Sequence, residues 1–352
     1  MSHYEKLNMT ADADAGSFVR ELKGSTGTGF EKKTHVHKDW WATTISYDDA
    51  MENLQRSAEE REDILEPVKN ISAVVNEDGE FAFNVQGREF VPTDWSLQQF
   101  SIRSNVPSST VIQKLRLQED FDADDAAIMA GLANNALRRL NQDKIYRMRT
   151  YTDGTCRAFV TDRYAPIDNR WYLEQLQNNL PEGRLSHWRG DEDTIFGNIL
   201  LPDTIIDYGQ SDDSDYGGMM SIGNCEIGKR RIQQVPSLFR SICLNGCIWG
   251  QVSGSAIKKR HIGNIDLVEL GGQITANINE QLPLLPMGVR KLLELRELDC
   301  LDATMKSVFA AVAMENKFSK NEASEVLSQW AVNESQDKNL FGVVNAITRA
   351  GQ

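Results

Sequence analysis

Asp153-Gly154 interrupts an alternating run, KIYRMRTYTDGTCRAFVTDRYAP, that extends from Lys144 to Pro166. Asp-Gly supplies the positive-φ residue that a two-residue hairpin loop needs, and so tight a loop leaves its flanking strands only antiparallel pairing. A hairpin in the middle of a chain demands further strands, because two strands alone do not bury enough surface to persist in water. Signals of the same kind recur. Asp78-Gly79 separates ISAVV from EFAFNV, and Gln86-Gly87 turns the chain again into REFV. DTIFGNILLP and MMSIGNCEIG read as strands, and CIWGQVSG and AIKKRHIG as two more joined at Gly254. VPSLFRSICLNG reads as helical at its start, with Asn245-Gly246 turning it.

Helical periodicity occupies the rest. Asp48 to Pro67 reads as an acidic, solvated helix in which Met51, Leu54 and Ile64 are too sparse for a long apolar stripe. Thr93 is placed as an N-cap before Trp95, Leu97 and Phe100. A second helix after Pro107 carries Val111, Ile112, Leu115 and Leu117. The pair has the outline of a helix-turn-helix, but Lys114 and Arg116 are few charges for a recognition helix, and packing is the preferred reading. Asp124 to Asn141 and the segment after Asp168 read as helices, as does nearly everything from Asn264 onward, where Ser319 and Glu322 have the spacing of a capping box. The fold class expected is α+β, an antiparallel β-sheet core of hairpins faced by helices, with a helical C-terminal region. The division expected is an N-terminal extension over 1–85, partly flexible with a hairpin near its end, an α+β core with basic hairpins over 86–262, and a helical region over 263–352.

The chain has 352 residues and a formal charge of −13, which argues against diffuse binding to nucleic acid. No run approaches the roughly 18 apolar residues that cross a bilayer. The N-terminus has neither a basic end nor an apolar segment, and the five cysteines are irregularly spaced, so a reducing, cytoplasmic setting without membrane is expected.

Against the acidic background stands a basic island. Between Glu226 and His261 lie Lys229, Arg230, Arg231, Arg240, Lys258, Lys259 and Arg260, with Glu226 the one acid. From Arg138 to Arg170 eight arginines and lysines face four aspartates. Arg147 and Arg149 alternate in a strand and so share a face. Arginines beside aromatic rings suit single-stranded nucleic acid, cations following the backbone while rings stack on bases. Arg147, Arg149, Lys229, Arg230, Arg231, Lys258, Lys259, Arg260 and His261 are therefore the candidate phosphate contacts, and Tyr151 and Trp249 the candidate stacking partners.

Enzymatic motifs do poorly. Gly24 to Phe30 resembles a phosphate loop, yet Phe30 stands where lysine belongs and no apolar strand precedes it. His35 and His37 lack nearby cysteine or carboxylate partners, and Cys243 and Cys247 lack a second pair to complete a zinc set. Cys225, Cys243 and Cys247 read as small core residues. Asp162, Asp168, Asp203 and Asp207 could serve a metal-dependent nuclease, but acids are too abundant here for that choice to carry weight. Neither a cofactor nor a catalytic residue is assigned.

TDWSLQQFSIRSNVPSSTVIQKL, LANNALRRL, RMRTYTDGTCRAFVTDRYAPIDN, SIGNCEIGKRRIQQVPSLFRSICLNGCI, IKKRHIGN and NLFGVVNAITRAGQ, in that order, resemble the DUF932 family of phage- and plasmid-encoded proteins from about Phe90 to the C-terminus. That family is poorly characterised, so the resemblance implies a mobile-element origin and a host-cytoplasm setting rather than a chemistry. The order of hairpins followed by helices is similar to Rad52-like single-strand annealing proteins, a likeness of arrangement alone. The function expected is non-enzymatic binding of single-stranded DNA in recombination or annealing, by a homo-oligomer working with host or phage replication and recombination proteins. The alternatives are an interaction or assembly protein that acts on a host factor without nucleic acid, and the nuclease.

Overall fold

The Asp153-Gly154 hairpin lies inside a six-stranded sheet, with Gly154 at φ +81° as the turn requires. The computed structural model describes residues 44–105, 121–191, 193–207, 215–240, 256–300, 305–315, 317–334 and 338–350. The first sheet is built from β1 (Arg61–Pro67), β2 (Ile71–Val75), β3 (Phe81–Val85), β4 (Arg88–Pro92), β5 (Ile145–Tyr151) and β6 (Thr155–Thr161), in the spatial order β1-β5-β6-β4-β3-β2. Every pairing is antiparallel except β4 with β6, where Val91 lies opposite Thr155. The second sheet contains β7 (Arg184–Gly190), β8 (Thr194–Leu200), β9 (Ile206–Asp207), β10 (Asp215–Cys225), β11 (Ile232–Arg240) and β12 (Ile257–Lys259). Its order is β12-β11-β10-β8-β7, with β9 paired to one end of β10. The α+β class expected from the sequence is the class observed.

The helices are α1 (Tyr47–Glu60), α2 (Asp94–Ser104), α3 (Ala123–Arg139), α4 (Asn169–Asn179), α5 (Leu267–Gln281), α6 (Leu284–Glu294), α7 (Met305–Glu315), α8 (Lys320–Gln329) and α9 (Leu340–Ala350). Their starts follow local chemistry. Thr93 accepts from the Ser96 amide, and Ser319 with Glu322 forms the expected capping box. Ser46 and Asp49 form a second box at α1. α2 and α3 cover the first sheet around Phe83, Phe100 and Phe159, whose rings lie 5.1–5.4 Å apart. α1, α4, α5 and α6 contribute to the core of the second sheet, which holds Tyr47, Leu173, Tyr216, Met220, Ile274 and Leu285. α7, α8 and α9 close a smaller cluster around Phe309, Trp330 and Val343. Among the described residues no helix is long and apolar enough to cross a membrane.

Three segments differ from expectation. The helix expected over Asp48 to Pro67 ends at Glu60, and Arg61–Pro67 is instead β1, the edge strand against β5. Charged residues are how exposed sheet edges avoid pairing with other chains, and here they hid a strand inside an acidic run. VPSLFR is not helical but part of β11, paired along β10 from Tyr216↔Arg240 to Gly223↔Gln233. Pro236 is accommodated because β12 pairs only with Ile232–Gln234, leaving β11 an edge at that point among the described residues. The boundary at residue 85 runs between β3 and β4 of one sheet, so residues 61–85 are integral to it. The second helix after Pro107, Gly24 to Phe30, His35, His37, Cys243 and Cys247 lie outside the described residues.

Close packing sets the tightest local demands. A Cβ at Gly218 would lie 2.7 Å from Leu285 Cβ, where α6 crosses β10. Gly218→Ala is expected to lower the unfolding free energy by about 1–3 kcal/mol through overpacking, measured by urea denaturation.

Candidate functional site

Glu226 follows the last residue of β10 and is buried. Its carboxylate receives Arg61 from β1, Arg149 from β5 at 3.1 Å, and the Asn169 amide at 2.6 Å. Arg149 also donates Nε and Nη2 to the two oxygens of Asp63 at 2.8 and 2.9 Å, and Arg147 donates to Asp63 at 2.8 Å. Arg61 completes the group by pairing with Asp168 at 2.6 Å. Three guanidinium groups are thus matched to three carboxylates between the two sheets. Burial raises the cost of ionising Asp63, but the hydrogen bonds and charges of Arg149 and Arg147 outweigh it and hold its pKa below the usual carboxylate value.

The same turn is held by its backbone. The Glu226 carbonyl accepts from Tyr164 Oη at 2.8 Å and Arg149 Nη1 at 3.2 Å. The Ile227 carbonyl accepts from Trp95 Nε1 at 2.9 Å and Gln99 Nε2 at 2.7 Å, and Gln99 Oε1 takes the Phe159 amide of β6. Gly228 turns at φ +78°, and a Cβ there would come within 3.3 Å of Tyr164. The exposed Lys229, Arg230 and Arg231 follow immediately, positioned by the first sheet although they belong to the second.

These three cations share a cavity of about 420 Å3 with Arg103 at the end of α2 and Arg260 just after β12. Val160, Tyr164, His261 and Ile262 complete much of its wall. No carboxylate lines it, and no ion pair is formed by Arg103, Lys229, Arg230, Arg231 or Arg260 among the described residues. Lys229 lies 5.8 Å from the centroid of the Trp95 ring. The segment after β12 is brought here by an isolated bridge, Tyr164↔Ile262, and by the Gly263 amide donating to the Arg163 carbonyl at 2.8 Å.

The structure therefore separates the candidates named from the sequence. Lys229, Arg230, Arg231 and Arg260 converge. Lys258 is exposed and Lys259 half-buried on β12, neither lining the cavity. Arg147 and Arg149 do share a face, as alternation requires, but that face is internal. The Arg149 side chain is 3% exposed, and both arginines neutralise Asp63 rather than meeting solvent phosphate. Tyr151 is buried, its hydroxyl donating to Asp193 at 3.3 Å and its ring covered by Arg157 at 4.0 Å, so no ring face is presented to a base. His261 is buried and stacked on Tyr164, with centroids 5.4 Å apart, and its Nδ1 donates to the Ala165 carbonyl at 3.2 Å. Burial pushes its pKa down to about 4, so it is a neutral member of the wall and not a fourth cation in the Lys258–His261 run. Trp249 lies outside the described residues. Arg103 was not among the sequence candidates; its place in the last turn of a helix beginning at Thr93 was the available signal.

The remaining chemistry is structural. Asp168 precedes α4 but makes no side-chain cap bond, its carboxylate being engaged with Arg61. Among the described residues no three His, Cys, Asp or Glu side chains converge as a metal-binding group. Comparison with protein-family models, curated proteins and solved structures finds no match to this chain. The DUF932 and Rad52-like likenesses therefore rest on the motifs and their order alone.

Two outcomes test this geometry. Glu226→Ala leaves Arg61 with Asp168 and Arg149 with Asp63 but removes the acceptor they share with the Asn169 amide, and it is expected to cost about 1–3 kcal/mol of stability by chemical denaturation. The His261 pKa lies below its unfolded value of 6.5. The unfolded chain then binds more protons between pH 6.5 and 4, and stability falls as pH drops through that window, by about 3 kcal/mol in full. The His261→Phe stability curve should lack that fall, so the difference between the two curves should change by about 3 kcal/mol across the window, and the His261 ring should titrate near 4 by NMR.

Proposed function

We propose that this protein binds single-stranded DNA through the cationic cavity between α2, the β10–β11 turn and the segment after β12. The observation that carries the reading is the convergence of Arg103, Lys229, Arg230, Arg231 and Arg260 on one cavity that no carboxylate lines among the described residues. The whole chain carries −13, so these charges are focused rather than part of a general excess. A concave site lined by one sign of charge concentrates its field on a ligand of the opposite sign. Arginine is suited to phosphate oxygens because its planar donors bind them in pairs. The cavity has the dimensions of a small-ligand pocket, which suits one nucleotide unit of a flexible strand and not the width of a duplex. Val160 and Ile262 supply apolar wall beside the cations.

Among the described residues no nucleophile, base and orienter are grouped here, and the reading is of binding rather than catalysis. Self-assembly and association with recombination partners in the host cytoplasm belong to the same proposal, and the DUF932 likeness supplies its context.

Affinity for a labelled single-stranded oligonucleotide, measured by fluorescence anisotropy, is expected to fall with salt. One or two phosphates held in the cavity would give a slope of log K on log salt of about −0.7 to −1.4, and Arg230→Ala, Arg231→Ala and Arg260→Ala should each weaken binding and flatten that slope. Absence of binding to any oligonucleotide at low salt removes the proposal.

A further inference from the structure

We infer that the cavity takes the terminal phosphomonoester of a strand rather than an internal stretch of its backbone. This inference rests on the single-stranded DNA reading and specifies which part of the strand is held.

Shape is the first ground. Proteins that follow a strand do so with a long groove, about 4–16 nucleotides per binding module. Here five cations are gathered around one partly open cavity of about 420 Å3. The hairpin that would have extended a cationic track, β5 with β6, spends Arg147 and Arg149 inside the protein on Asp63 and Glu226.

Charge is the second. An internal phosphodiester carries a single negative charge. A terminal phosphomonoester carries about −1.5 to −2 near neutral pH and presents three strong acceptor oxygens. Arg103, Lys229, Arg230, Arg231 and Arg260 approach from three separate segments, α2, the turn and the stretch after β12. Converging donors of this kind suit a compact dianion better than a succession of monoanions that must also exit on both sides. The apolar part of the wall agrees with this. Ile262 is 56% exposed and lines the same cavity as Val160, giving the attached sugar and base an apolar surface.

The test uses the full chain and one short single-stranded oligonucleotide, labelled at an internal position, in three forms: with a 5′-phosphate, with a 3′-phosphate, and with hydroxyls at both ends. One phosphorylated form is expected to bind about tenfold tighter or more than the hydroxyl form, from the added charge-assisted hydrogen bonds. Which form gains identifies the end. The gain should vanish in the Arg230→Gln/Arg260→Gln double variant, whose two exposed positions form no ion pair among the described residues and leave the fold intact, as circular dichroism would verify. Equal affinity of all three forms overturns the terminal-phosphate inference and leaves the single-strand reading standing. A gain that survives in the double variant also overturns it, by placing the end elsewhere. Binding by none of the three removes both.

Discussion

The carboxylate of Glu226 is the joint on which the two sheets and the cationic turn depend. An ionised carboxylate removed from water is costly unless its charge and its hydrogen bonds are both met. Here two arginines and a backbone amide meet them, and the arginines come from strands of the other sheet. The adjoining carbonyls of Glu226 and Ile227 collect four more side-chain donors, from Tyr164, Arg149, Trp95 and Gln99. A hairpin turn at the tip of β10 and β11 would ordinarily be among the more mobile parts of a fold. This one is tied from several sides, so the direction in which Lys229, Arg230 and Arg231 leave it is set by the first sheet.

Like residues consequently do unlike work. Arg147 and Arg149 stand on a strand with aspartate and glutamate within 3.1 Å, and their charge is consumed inside the molecule. Arg230, Arg231 and Arg260 stand where no described carboxylate reaches them, although the chain has a surplus of acids. The distinction is one of partners and not of composition. The external field of an arginine is what remains after its neighbours are counted, so a cation count along the sequence overstates the first hairpin and understates the second.

That difference explains how much of the molecule was legible in the sequence. Asp78-Gly79, Gln86-Gly87 and Asp153-Gly154 announced their turns because positive φ is a local demand that few residues meet. Thr93, Ser319 and Glu322 announced helix starts for the same reason: the orphan amides they satisfy lie within three residues. β1 was not legible, because its reason for being a strand is β5, more than eighty residues away. β11 was missed alike, its pairing with β10 outweighing the helical look of VPSLFR. Four of the five cations of the site, Lys229, Arg230, Arg231 and Arg260, were visible in runs of Lys and Arg. For Arg103 the one local signal was its place in the last turn of the helix that starts at Thr93, which does not mark the cavity, and the burial of Arg149 and Tyr151 depended on Glu226 and Asp193, both contributed by the second sheet.

His261 shows how such a cavity tolerates its own charge. Five cations at close quarters repel one another, and a sixth would add to the cost. The ring at the end of the basic run is kept neutral by burial and by the nearby charge of Arg149, while its Nδ1–H is occupied by the Ala165 carbonyl. It contributes surface and rigidity by stacking on Tyr164, the residue that also grips the Glu226 carbonyl. One contact thereby couples the wall of the cavity to the buried ion cluster. The charge that remains belongs to arginine and lysine side chains, and the field they make in the cavity is set by their geometry and screened by salt.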